Sequence, residues 1–208
     1  MKIEVVDNFL NSKDFKRISN LSLKKISKKN LKVYNNSIVG KKIINSECIN
    51  PKNLYELNKN YHNKAIKILK KLCKEKVKLY DYSEFHIIIT GASCKFPIHD
   101  DTPNKLLSGV IYLKPNKNSG TNFFSTKSGK SKKIIPWKLN RAVFFSRKER
   151  ETWHSYHADG KSNRIVLVYN LMTRNIKEVF KVEKKNYFLG NLRYKLNPFI
   201  YRFFKKTI

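Results

Sequence analysis

Between Glu84 and Leu171 the chain breaks into short β-forming runs with no long helical stretch among them. The runs are Glu84–Thr90, Leu106–Lys114, Thr121–Ser125, Lys133–Ile135, Arg141–Ser146 and Arg164–Leu171. Segments such as Pro115-Asn116-Lys117-Asn118-Ser119-Gly120 and Ser128-Gly129-Lys130 supply turn chemistry between them. Parallel strands need a crossover of a dozen or more residues, usually a helix. Six or more strands without such crossovers predict an antiparallel sandwich or barrel. No run of eighteen apolar residues occurs, so no membrane-spanning helix is expected. No GxGxxG or P-loop pattern points to a dinucleotide or nucleoside triphosphate.

The residues ahead of this region read differently, as a leader of one short strand and two helices. Ile3 to Val6 is a β-like run closed by Asp7-Asn8. A helix is expected from Ser12, its hydroxyl capping the helix and Asp14 lying favourably in the first turn. A longer one starts at Asn50-Pro51, an N-cap followed by proline at the first helical position. Leu54, Leu57, Tyr61, Ile68 and Leu72 then recur at helical spacing. The 208 residues fit one domain with a real core. Its expected parts are the leader at 1–80, the β-rich core at 80–172, and a basic, aromatic extension at 173–208.

Charge limits the list of partners less than its size suggests. Lys and Arg number 45 against 15 Asp and Glu, a formal net charge of +30, but only eight of the 45 are Arg. Lysine, asparagine and isoleucine share A/T-rich codons, so base composition accounts for much of the excess. Geometric readout of phosphates and bases leans on arginine, and a nucleic acid is not expected as the primary partner. The field still attracts anions and favours an anionic substrate. Cys48, Cys73 and Cys94 are odd in number and lack a CxxC, which excludes a disulfide scaffold or zinc ribbon. A reducing, cytoplasmic setting is expected. Charges within Met1–Asp7 argue against a signal peptide.

Chemistry concentrates in Phe96-Pro97-Ile98-His99-Asp100-Asp101. Two residues apart in extended chain, His99 and Asp101 point to one face while Asp100 points to the other. An imidazole and a carboxylate suit a metal of intermediate hardness such as Fe(II) or Mn(II). A second histidine completes a facial triad, and Trp153-His154-Ser155-Tyr156-His157 offers two. His154 and His157 face opposite ways in extended chain, so only one joins the site, and separation alone leaves both open. Arg164, at the start of a strongly apolar strand, needs an anionic partner. A dicarboxylate chelating the metal through its other end would supply one; a structural carboxylate such as Asp101 or Glu84 is the alternative.

Taken in order, these residues resemble the Fe(II)/2-oxoglutarate-dependent oxygenases, in particular their prolyl-hydroxylase-like branch. The pattern runs through His99-Asp100-Asp101, Gly109-Val110-Ile111-Tyr112-Leu113, Ser119-Gly120-Thr121, Pro136, Arg141-Ala142-Val143-Phe144-Phe145, His154 and Arg164. It covers about residues 80–172, and Val5-Val6-Asp7-Asn8-Phe9-Leu10 resembles the family's opening. The resemblance implies a mainly β (α+β) fold: a double-stranded β-helix, or cupin-like jelly roll, with N-terminal helices packed on the sheet. It implies a dioxygenase using Fe(II), 2-oxoglutarate and O2, with ascorbate as a further reductant, that hydroxylates a substrate while releasing succinate and CO2. His99, Asp101 and His154 would ligate the metal, the ten-residue spacing to Arg164 favouring His154 over His157. Arg164, Tyr112 and Ser108 would hold the cosubstrate's distal carboxylate. Two departures stand out: Val166 occupies a position where some members carry a hydroxyl, and Ser119-Gly120 replaces the usual double glycine.

Two other function classes stay open at this level: a nucleic-acid-directed protein (a demethylase of the same fold or a binder), and a non-catalytic metal-binding jelly roll. Tyr112 reads equally as a core tyrosine. The tail Phe199-Ile200-Tyr201-Arg202-Phe203-Phe204-Lys205-Lys206 reads either as a basic amphipathic helix in peripheral contact with an anionic membrane, or as aromatics packed under the sheet.

Overall fold

The computed structural model describes residues 1–204. In chain order it contains β1 (Glu4–Val6), α1 (Ser12–Ser19), β2 (Leu31–Tyr34), β3 (Asn36–Val39), β4 (Lys42–Ser46), α2 (Pro51–Leu72), and a 3-10 turn at Lys74–Leu79. Then follow β5 (Tyr82–Thr90), β6 (Lys95–His99), β7 (Lys105–Lys114), β8 (Thr121–Phe124), β9 (Lys133–Ile135), β10 (Ala142–Phe145), β11 (Trp153–His157), β12 (Arg164–Met172), α3 (Ile176–Val182) and α4 (Tyr187–Phe204). The strands form two sheets. The larger is ordered β1-β10-β7-β12-β5-β3-β4, with β2 also pairing β5, and the smaller is ordered β6-β11-β8-β9. Every strand pairing is antiparallel. This is the jelly roll expected of the β-rich region.

Alternation along the large sheet creates two apolar layers. Ile165, Leu167, Tyr169 and Leu171 of β12 join Leu107, Ile111 and Leu113 of β7, and Phe85, Ile87 and Ile89 of β5, in a core shared with α1 and α2. The intervening residues Val166 and Val168, with Val110, Tyr112, Val143, Phe145 and Ile88, face the small sheet and meet Phe123 and Ile135. A strand covered on both faces reads as a continuous apolar run, as β12 does. A slip of one residue would exchange the two sets; β12 is held against this by nine consecutive residue pairs with β5 and eight with β7.

The leader departs from expectation in two places. The segment between the helices holds three strands, β2 to β4, rather than loop; β2 and β3 extend the large sheet beyond β5, and β4 pairs β3. Their residues are mostly half-buried or exposed, so the alternation that marks a strand is weak. The cap of α1 is Asn11, not Ser12: its side chain accepts the Asp14 N–H at 2.8 Å. Asparagine caps as well as serine, and here Asn11 Nδ2 also donates to Asp14. Asn50 and Pro51 start α2 as expected.

Gly120 shows how closely the small sheet packs. A Cβ there would lie 1.8 Å from the Ile135 carbonyl oxygen, a backbone atom that cannot swing away. Gly120→Ala is expected to cost about 1–3 kcal/mol or more, the usual range for overpacking; a urea midpoint equal to wild type would refute this close approach.

Candidate metal centre

The small sheet brings the two histidines together. His154 of β11 stands opposite His99 at the end of β6, and the ring centroids lie 4.2 Å apart. Asp101 follows His99 by two residues, and donor atoms of His99, Asp101 and His154 all lie within 4.8 Å of one another. His157 is exposed and is not part of this group. His86, on β5, is engaged elsewhere: its Nε2 lies 3.0 Å from Glu84.

Each ligand candidate is oriented before any ion arrives. His99 Nδ1 lies 2.9 Å from the Pro97 carbonyl, and His154 Nδ1 lies 2.9 Å from the Thr152 carbonyl. A carbonyl only accepts, so each Nδ1 carries the proton and each Nε2 keeps a lone pair. Removal from water pushes the His99 pKa down to about 3, helped by neighbouring His154, and His154 is lowered for the same first reason. Both rings are therefore neutral near pH 7, the form that binds metal. Burial works against the charged form of Asp101, but the ammonium of Lys105, through its charge and its hydrogen bond, leads the opposing effects and holds the carboxyl far below the ordinary range. Lys105 Nζ donates to Asp101 Oδ1 at 2.7 Å and Ser108 Oγ to Oδ2 at 2.5 Å. Two neutral imidazoles and one ionised carboxylate fit Fe(II) or Mn(II) in a facial arrangement.

A cavity of about 170 Å³ joins this cluster to Arg164. Its walls include Val110, Thr121, Phe145, Tyr156, Val166 and Val168. Arg164 is 6% exposed, and among the described residues it forms no salt bridge. Its Nη2 reaches only Thr121 Oγ1 at 3.4 Å, and its Nε has no partner. Both structural carboxylates considered for it are engaged elsewhere: Asp101 by Lys105 and Ser108, Glu84 by His86 and Asn170. Three rings offset part of the desolvation, with the guanidinium carbon 3.9 Å from the centroid of Tyr156, 5.4 Å from Tyr112 and 5.6 Å from Trp137.

Tyr112 and Ser108 make contacts other than those expected of them. Tyr112 is fully buried between the sheets, stacked on Trp137, and its hydroxyl lies 2.8 Å from Thr121 Oγ1. Thr121 lines the cavity and Tyr112 does not. Ser108 lies at the metal end, bonded to Asp101, rather than beside Arg164. Lys105, one lysine among many, has no sequence signal, and Thr121 stands in the sequence pattern beside Gly120 with no role attached to it.

A second cavity, of about 240 Å³, also reaches His99 and Asp101. Its far wall comes from α4, including Gly190, Arg193, Tyr194 and Asn197. Beside it lies a buried ion cluster. Arg147 donates to Glu183 Oε2 at 2.6 Å, to Glu149, and through Nε to the main-chain carbonyl of Asp101 at 3.0 Å. Lys76 reaches Glu183 Oε1 at 2.7 Å, and Arg193 lies 2.9 Å from Glu149. The cluster thus links α3 and α4 to the segment bearing Asp101.

The sequence matches no protein-family profile and no curated protein. Its fold, however, is similar to several solved structures. A Pseudomonas putida prolyl-4-hydroxylase is 14% identical, with a TM-score of 0.53 over 83% of this chain and 92% of that one. A Trichoplax adhaerens prolyl hydroxylase in complex with a hypoxia-inducible-factor oxygen-degradation-domain peptide is 13% identical, with a TM-score of 0.53 over 85% and 86%. A 2OG-Fe(II) oxygenase family oxidoreductase from Burkholderia pseudomallei is 12% identical, with a TM-score of 0.55 over 82% and 84%. The chain has the fold of the prolyl-hydroxylase-like 2-oxoglutarate- and iron(II)-dependent oxygenases.

Proposed function

We propose that this chain is an Fe(II)- and 2-oxoglutarate-dependent dioxygenase that hydroxylates its substrate. One observation carries the reading: a single small cavity has a His-Asp-His cluster at one end and a buried arginine without an anion at the other. A dicarboxylate bridging the two would satisfy both ends. The chemistry supplied by a bound Fe(II) and 2-oxoglutarate is oxidation of a substrate C–H bond by O2, coupled to decarboxylation of the cosubstrate to succinate and CO2.

The chain's own residues have distinct parts. His99 and His154 present Nε2, and Asp101 presents a carboxylate that Lys105 and Ser108 hold in place. Arg164 receives the distal carboxylate, with Thr121 beside it and Tyr112 orienting Thr121. Apolar Val110, Val166, Val168 and Phe145 keep water from the bound cosubstrate. The second cavity is the substrate's route to the metal, and the protein's positive charge favours an anionic substrate. The three unbridged cysteines suit a reducing, cytoplasmic setting.

Anaerobic titration with Fe(II) and 2-oxoglutarate tests the reading through the visible metal-to-ligand charge-transfer band. Wild type is expected to develop the band and Asp101→Ala to lack it; no band in folded wild type would overturn the assignment. The same titration separates the histidines. His154→Ala is expected to abolish the band, whereas His157→Ala, altering an exposed ring, is expected to keep it.

A further inference from the structure

α4 has two faces of different character. Its inner side reaches the second cavity through Gly190, Arg193, Tyr194 and Asn197. Gly190 makes a close approach possible, since a Cβ there would fall 2.1 Å from the Phe180 ring of α3. The helix is thus fixed to the body, and its outer side is left with Phe188 at 80% exposure, Leu189 at 57%, Leu192 at 55% and Leu196 at 41%. At helical spacing these four form one stripe, and Phe188 is the most exposed large apolar side chain among the described residues.

We propose that this face of α4 docks on an anionic lipid bilayer. Charge selects this occupant. From Lys184 to Ile208 the sequence has seven Lys and Arg and no Asp or Glu. Exposed Lys195 lies at the edge of the stripe, and exposed Lys177, Lys181 and Lys184 lie on and beside α3, Lys181 3.7 Å from Glu178. An apolar stripe flanked by lysines is how a helix lies in a membrane interface, apolar side chains among the acyl chains and ammonium groups at the phosphates. A second copy of the chain would bring another +30 against this face. A nucleic acid would call for stacking rings and arginine forks, whereas three of the four stripe residues are leucines. No helix of the described residues is long and apolar enough to cross a membrane, so contact would be peripheral.

Sedimentation of the full chain with vesicles tests this. Wild type is expected to sediment with vesicles of phosphatidylcholine plus phosphatidylglycerol at physiological ionic strength, and not with phosphatidylcholine alone. Leu192→Asp/Leu196→Asp alters only exposed positions, so its circular dichroism should match wild type. Its partitioning should fall by about tenfold or more, the factor that burial of even one leucine supplies. Equal binding by variant and wild type would overturn the proposal, since the general positive field would then explain adsorption without the stripe. Failure of wild type to bind would also overturn it. So would wild-type self-association that the double variant abolishes, because a second copy would then cover the face.

Discussion

Arg164→Met is expected to move stability and cosubstrate affinity in opposite directions. The guanidinium is buried with no carboxylate beside it and one nitrogen unpartnered. Burial already lowers its pKa, the direction expected for a cation short of compensation. Ring contacts return about 0.5–2 kcal/mol, less than the several kcal/mol lost when an ion leaves water. An apolar side chain of similar reach should therefore stabilise the cosubstrate-free protein by about 1–2 kcal/mol. The same substitution should weaken 2-oxoglutarate about a hundredfold or more, because a buried carboxylate that loses its partner costs about 2–5 kcal/mol. Urea denaturation without ligand and titration of the charge-transfer band measure the two effects. A variant less stable than wild type, with unchanged 2-oxoglutarate affinity, would show that Arg164 is a structural residue.

Arg147→Met is expected to be the most damaging single change away from the metal ligands, at about 3–5 kcal/mol. Arg147 is 2% exposed and is shared by Glu149, Glu183 and the Asp101 carbonyl, so its loss strands acceptors on three segments. Lys76→Met makes an informative contrast. Lys76 is as buried and touches the same Glu183, but burial pushes its pKa down, and the cluster holds three cations against two carboxylates. Removing Lys76 leaves the charges balanced, with Arg147 still on Glu183, but strands the Arg147 main-chain carbonyl to which Lys76 also donates, and should cost about 1–3 kcal/mol, less than Arg147→Met. Urea unfolding of both variants checks this; equal losses would mean that hydrogen bonding, rather than charge balance, governs the cluster. Arg147→Met should also weaken Fe(II) binding, since the segment bearing Asp101 loses its tether.

What the sequence discloses follows from how far apart the interacting residues are. Six of the eight strands from β5 to β12 are read from local alternation and turn residues, and every expected run there is a strand; β6 and β11 are not among those runs. His99 and Asp101 are two residues apart, and the order of His154 and Arg164 behind them follows a known pattern. β2 to β4 escape because their side chains are only partly buried and lysine and asparagine occupy positions that would otherwise show the period. The ion cluster escapes for another reason. Lys76 and Glu183 are 107 residues apart, Arg147 and Asp101 46 apart, and one buried lysine among so many exposed ones has no signature. Ser108 follows from neither rule, since its partner Asp101 lies across a turn whose shape the sequence does not specify. Of the tail, the helix is described as far as Phe204, and Lys205-Lys206 lie outside the described residues.

Both histidines take their orientation from a carbonyl two residues back, Pro97 for His99 and Thr152 for His154. The instruction that aims each ring is therefore contained in three consecutive residues and calls on no distant side chain. Such a centre is modular: two tripeptides laid opposite each other on paired strands already place both nitrogens, and a carboxylate two residues on completes the set. Sequence can drift widely around an arrangement of that kind. The fold persists here at 12–14% identity to the solved oxygenase structures described above, and a surface crowded with lysine leaves those two short units untouched.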